Sequence, residues 1–287
     1  MSVVVWSTVV GGLVLVIGLV ALLLRGDRER ASGLDKLFLL GPIFYAAPLA
    51  GFGTEHFTLT AGVASLVPSW IPYPEVWTYA IGAGFIAAAL SMVTGILARV
   101  SASLVAATMF VFVVAMDVPA WAHEPSNRIA FTLALRELAF CGGALAIASS
   151  HIRVSHERGA DIVRTIARYF IAVPVLVYSV EQFLHGDQVP GVPLARVTPT
   201  YIPGHALWTY LAAAIYAVGG GLLLVGRRPR AATLAVGAIV LVVVLVVYVP
   251  IAVVEGANLT NFNFIADTLM FGGAVLAVGG AIRSRVT

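Results

Sequence analysis

The sequence predicts an all-α, polytopic membrane protein of about nine transmembrane helices: one N-terminal helix, then two parallel four-helix repeats. Three observations predict it. The first is composition. Of 287 residues, 60% are hydrophobic and 11% charged, and the mean hydropathy is +0.97, whereas a soluble domain carries about 25% charge. The second is run length. Apolar stretches of roughly 20 residues recur along the chain, the length that crosses a bilayer as a helix and about twice what a barrel strand needs. The third is self-similarity. IPYPEVWTY at Ile71–Tyr79 returns 131 positions later as IPGHALWTY at Ile202–Tyr210. Val118-Pro119, Glu124 and Asn127 return at the same displacement as Val249-Pro250, Glu255 and Asn258. Small shifts extend the match: at 126 positions Glu55-His56-Phe57 meets Glu181-Gln182-Phe183, and at 130 Glu137 meets Asp267. A repeat this long sets the architecture before any single motif is read.

Residues 1–36 hold the extra N-terminal helix and its loop. The charges of this helix follow the apolar run instead of preceding it, and no small-residue cleavage site stands out, so it reads as a retained span. Residues 37–150 form the first repeat, with spans at 37–57, 76–98, 103–119 and 129–150 and a loop rich in Pro and aromatics after the first span. Residues 151–168 are a charged connection, long enough to cross a bundle if extended. Residues 169–287 replay the set with spans at 169–184, 206–225, 232–254 and 264–282, again with a Pro-rich loop, 185–204.

Charge orients the chain. Alternate loops hold all 17 basic residues except Arg128, Arg136 and Arg196. The positive-inside rule makes that side cytoplasmic, with the N-terminus outside and the C-terminus inside a cell's inner membrane. The pI of about 9.2 therefore describes cytoplasmic anchors and not a nucleic-acid surface. An even number of spans per repeat gives both the same orientation, as parallel repeats about an axis along the membrane normal. One cysteine, Cys141, excludes an internal disulfide and a cysteine metal cluster.

Polar groups within spans are costly, which makes them functional candidates. Glu55 and Glu181 close the first span of each repeat, and Glu137 and Asp267 lie about two turns into the fourth. With His56, Asp117 and Arg136 they compose a candidate polar pocket opening outward. Arg136 and Glu137 are adjacent, so they point about 100° apart on a helix, and Arg136 is expected to pair with Asp117 or Glu55. The second repeat has Tyr248 where the first has Asp117, which suggests that one repeat is specialised and the other structural. The outer histidines His56, His123, His185 and His205 show no metal-ligand spacing. Trp70, Trp77, Tyr79, Trp208 and Tyr210 suit an interfacial aromatic belt. Gly82–Ala89 and Ala212–Gly221 offer small-residue faces that are expected to meet across the repeats.

Gly53-Thr54-Glu55-His56-Phe57 and Glu181-Gln182-Phe183, with the Arg136-Glu137 segment of the fourth helix, resemble the DoxX/DoxD-like membrane proteins. The resemblance covers roughly 37–150 and 165–283, two units in tandem, and departs from the family in the extra first span and the fusion. It implies a small bacterial membrane protein associated with a redox system such as thiosulfate:quinone oxidoreductase. The expected function is an accessory membrane subunit that binds quinone or lipid in the outward pocket. It is expected to bring no cofactor of its own, to have membrane lipids and a redox protein as partners, and not to bind nucleic acid. A small-solute transporter and an assembly subunit without catalysis are the alternatives.

Overall fold

The computed structural model describes residues 2–26, 31, 33–151 and 157–282. Arg28, Arg30, Arg153, Arg283 and Arg285, counted above among the cytoplasmic anchors, lie outside the described residues. The chain is all-α, and the described residues include one isolated antiparallel bridge, Gln188–Val197. Helix α1 is Val3–Leu24. A 3-10 segment, Gly33–Leu40, leads into α2, Gly41–Thr58, which the short α3, Thr60–Ala64, follows. Next come α4, Pro74–Thr94, and α5, Ala98–Phe112, which runs through a π segment, Val113–Asp117, into α6, Val118–His123. Helix α7 is Arg128–Ser150 and α8 is Glu157–Leu184. The chain finishes with α9, His205–Leu224; α10, Pro229–Val243, continued by a π segment, Val244–Tyr248, into α11, Val249–Glu255; and α12, Leu259–Ala281.

Eight spans among the described residues are long and apolar enough to cross a membrane. The ninth long helix, α8, spends its first turns on Arg158, Asp161, Arg164 and Arg168 before its apolar half. The charged connection expected at 151–168 is therefore mostly helix. It advances about 1.5 Å per residue where it is helical, less than half the extended reach.

Helix boundaries recur at the 131-residue displacement, and each has a local cause. Pro74 opens α4 behind left-handed Tyr73 (φ 56°), and His205 opens α9 behind left-handed Gly204 (φ 65°). Leu97 and Arg228 hold the same conformation before α5 and α10. The side chains of Asn127 and Asn258 cap α7 and α12, each accepting a hydrogen bond from the amide three residues on. Pro119 and Pro250 lack an N–H and crowd the carbonyl four residues back, and each follows a π turn that relieves this crowding.

The centre of the bundle is α2, α7 and α12, brought together by glycine. A Cβ on Gly143 would lie 2.7 Å from Ala274 Cα, and one on Gly41 would lie 2.6 Å from the Ala277 amide nitrogen. Tyr45 of α2 donates to the Phe140 carbonyl at 2.9 Å, and Tyr178 of α8 donates to that of Thr132 at 2.8 Å. The small-residue faces of α4 and α9 do not meet. Helix α4 packs on α1, α2 and α5, and α9 on α8 and α10. Glycines at 41, 143 and 273 let the central backbones approach most closely, which leaves α4 and α9 at the sides. Arg25, ending α1, donates to the Val93 carbonyl at the end of α4. Arg168 of α8 does the same for Leu223 and Leu224 at the end of α9. Two different elements thus place a cation on equivalent helix C-termini, where the dipole favours it.

Candidate functional site

A chamber of about 880 Å³ opens between the helices of the first repeat and α12. Helix α2 supplies Glu55 and His56, the π segment after α5 supplies Asp117, α7 supplies Arg136 and Glu137, and α12 supplies Asp267. Six of the seven sequence candidates therefore share one cavity. Its lining runs from Pro68 and Trp70, in the loop before α4, to Met109 and Phe140, near the middle of the spans Ala98–His123 and Arg128–Ser150.

Glu181, the seventh candidate, is elsewhere. It pairs with Arg128 at 2.5 Å, and Arg128 also bonds to the Gln188 side chain and the Leu194 carbonyl. Nor does Arg136 pair with Asp117 or Glu55. It donates to Asp267 at 2.6 Å and to its neighbour Glu137 at 3.0 Å. Adjacent positions diverge at Cβ, but a guanidinium on a long stem reaches back. The asparagine caps correct the alignment as well. Counting from Asn127 and Asn258, Asp267 is the counterpart of Arg136, and Thr268 that of Glu137. The Asp267 side chain is 6% exposed and that of Glu137 14%, so Asp267 is the more enclosed of the two. Burial follows the helix, since α12 is packed on every side.

Glu55 is buried, and its Oε1 has no hydrogen-bond partner; the same holds for Asp117 Oδ2. No basic side chain among the described residues pairs with either carboxylate. His56 Nδ1 lies 2.8 Å from the Phe52 carbonyl, and its ring meets Phe85 edge to face. Among the described residues no group of three His, Cys, Asp or Glu has the geometry to hold a metal.

The chamber does not stand alone. An apolar groove of about 580 Å³ runs between α4 and α5, past Ala88 and Leu90 to Ile96 and Leu97, and shares Ile81, Phe85, Leu104 and Thr108 with the chamber. In the second repeat the equivalent gap is closed. Gly219, the counterpart of Ala88, lets Val236 lie against α9, and Tyr216, the counterpart of Phe85, is wholly buried.

The second repeat also fills its own chamber position, with residues that look like ordinary loop in the sequence. Val189–Val192 are buried between the helices. Tyr248 donates to the Pro190 carbonyl at 2.7 Å, Gln182 to that of Gly191 at 2.9 Å, and Thr209 to that of Gln188 at 2.9 Å. Arg196 fastens the same loop to Glu255 and Asn261. The signal for this plug was the run of small and apolar residues, VPGVP at Val189–Pro193, within a loop.

Residues 45–141 are similar to a family described as a domain of unknown function, DUF8561. The match covers the first repeat from Tyr45 to Cys141 and includes every chamber carboxylate except Asp267. Neither the curated proteins nor the solved structures contain a match to the chain.

Proposed function

We propose that this protein is a membrane subunit whose first repeat binds an amphipathic, lipid-soluble molecule, headgroup in the chamber and apolar chain in the groove. One observation carries the reading: a chamber holding four carboxylates among apolar walls and a long apolar groove share a wall, and both are closed in the second repeat. Ligand sites are mostly apolar with a few placed polar groups, which matches this lining. A quinone or a lipid has the required shape. In the quinone form of the reading, the likeness to DoxX/DoxD-like proteins supplies a role. The subunit assists a redox partner that handles electrons, while Glu55 and Asp117 exchange protons with the headgroup. The distribution of basic residues supports a chamber mouth on the outer side of a cell's inner membrane.

The test is extraction of the purified protein with organic solvent and identification of co-purifying lipids by mass spectrometry. One amphipathic species should be enriched over bulk lipid and should be lost from Leu104→Trp, which narrows the passage between chamber and groove. Extracts identical to bulk lipid, or enrichment untouched by the substitution, count against the reading. Transport of a small solute is the second reading, favoured by the depth of the chamber at Met109 and Phe140. It requires uptake by cells that Glu55→Gln abolishes.

A further inference from the structure

From the plug in the second repeat we infer the headgroup chemistry of the first: a protonated amine on an apolar chain. The inference rests on the proposed binding of an amphipathic molecule and deepens it. Three side chains hold the plug: Gln182, Thr209 and Tyr248. Their counterparts are His56, Thr78 and Asp117, and all three line the chamber of the first repeat. The correspondence is structural as well as sequential. Pro48 and Pro174 sit inside α2 and α8. Gly53 abuts the Gly82 carbonyl, as the hydroxyl of Ser179 bonds to that of Ala213. Tyr248 and Asp117 each end a π segment. The plug therefore marks where an occupant of the chamber sits.

The polarity of that place is inverted. At two of the three positions the second repeat donates, Tyr248 from its hydroxyl and Gln182 from its amide, to peptide carbonyls. In the first repeat Asp117 offers a carboxylate. His56 holds its Nδ1 proton toward the Phe52 carbonyl, which leaves Nε2 of the neutral ring an acceptor. An occupant must then bring donors where the plug brings acceptors. Charge points the same way. Glu55, Asp117, Glu137 and Asp267 face the chamber against one guanidinium, Arg136, which is already engaged by two of them. Glu55, nine-tenths buried, lines the chamber, and its Oε1 is shut off from solvent without a partner. A buried carboxylate left without partner is costly, and a cation in the chamber beside it offsets its charge. Trp70, Trp77 and Phe85 on the walls add faces on which an ammonium is held. An unreduced quinone carries acceptors only and is disfavoured here.

The experiment uses the full chain in nanodiscs of zwitterionic lipid and follows tryptophan fluorescence during titration with dodecylamine, dodecanol and dodecanoate. Dodecylamine should bind about tenfold or more tighter than dodecanol, the worth of one such charge contact, and dodecanoate should not bind. His56→Gln with Asp117→Tyr transplants the residues of the second repeat and should abolish the preference. Asp117→Asn, which keeps the shape, should reduce it and stands in if the double variant does not fold. Equal affinity for amine and alcohol, or a preference that survives Asp117→Asn, overturns the headgroup assignment while leaving an amphiphile site in place. Saturable binding of no probe at all overturns the proposed function with it.

Discussion

Arg136 touches the residue that stands 131 positions further along the chain, its own counterpart Asp267. Gly143 likewise packs against its counterpart, Ala274. A residue meets its own equivalent only beside a twofold axis, so α7 and α12 lie along that axis. Arg136→Ala should cost about 3–5 kcal/mol, because it leaves Glu137 and Asp267 in the interior without their cation. Arg136→Ala with Asp267→Ala should cost less than the sum of the two singles. Thermal unfolding in detergent measures both, and strict additivity would rule out direct coupling between the two positions. The sequence made these residues stand out as charges inside spans, but it did not reveal how they pair. Apolar helices align almost as well at 130 as at 131, and only the asparagine caps decide the register. Pairing then depends on the reach of a guanidinium, which spacing along a helix does not encode.

At the scale of elements, the spans were legible because bilayer thickness sets helix length, and the π turns were foreshadowed by the repeated Val-Pro at 118–119 and 249–250. The plug was not. A loop that is buried satisfies its carbonyls through distant side chains such as Gln182 and Tyr248, and no local pattern announces distant donors. Gly191 is held at φ 103°, and a Cβ there would lie 3.1 Å from Thr268 Cγ2. Gly191→Val should therefore destabilise the protein by about 1–3 kcal/mol and loosen the plug. Hydrogen exchange should rise at 188–193 and at Tyr248 while the first repeat stays protected. Uniformly increased exchange would mean that the plug is not a separate unit.

For the whole molecule, composition and repeat made the all-α membrane fold readable, whereas the order of packing rested on three glycines that no periodicity singles out. The charge distribution predicts a sidedness that can be measured. Cys141, the one native thiol, is 3% exposed and gives little background. Ser69→Cys should react with a membrane-impermeant maleimide on intact cells, and Arg227→Cys only after permeabilisation. The reverse pattern would turn the chamber toward the cytoplasm.

The ion pair between counterparts also makes the repeats a lock with only one key. Two copies of the first repeat placed about the same axis would set arginine against arginine, and two copies of the second would set aspartate against aspartate. Only the mixed couple sets a cation against an anion across the axis. If the chain is cut near residue 154 and the halves are expressed together, they should associate with each other and not with themselves. Exchanging the two residues, Arg136→Asp with Asp267→Arg, should preserve that choice. Arg136→Asp alone should forbid it. A tandem of near-equal halves has in this way become a partnership of unequal ones.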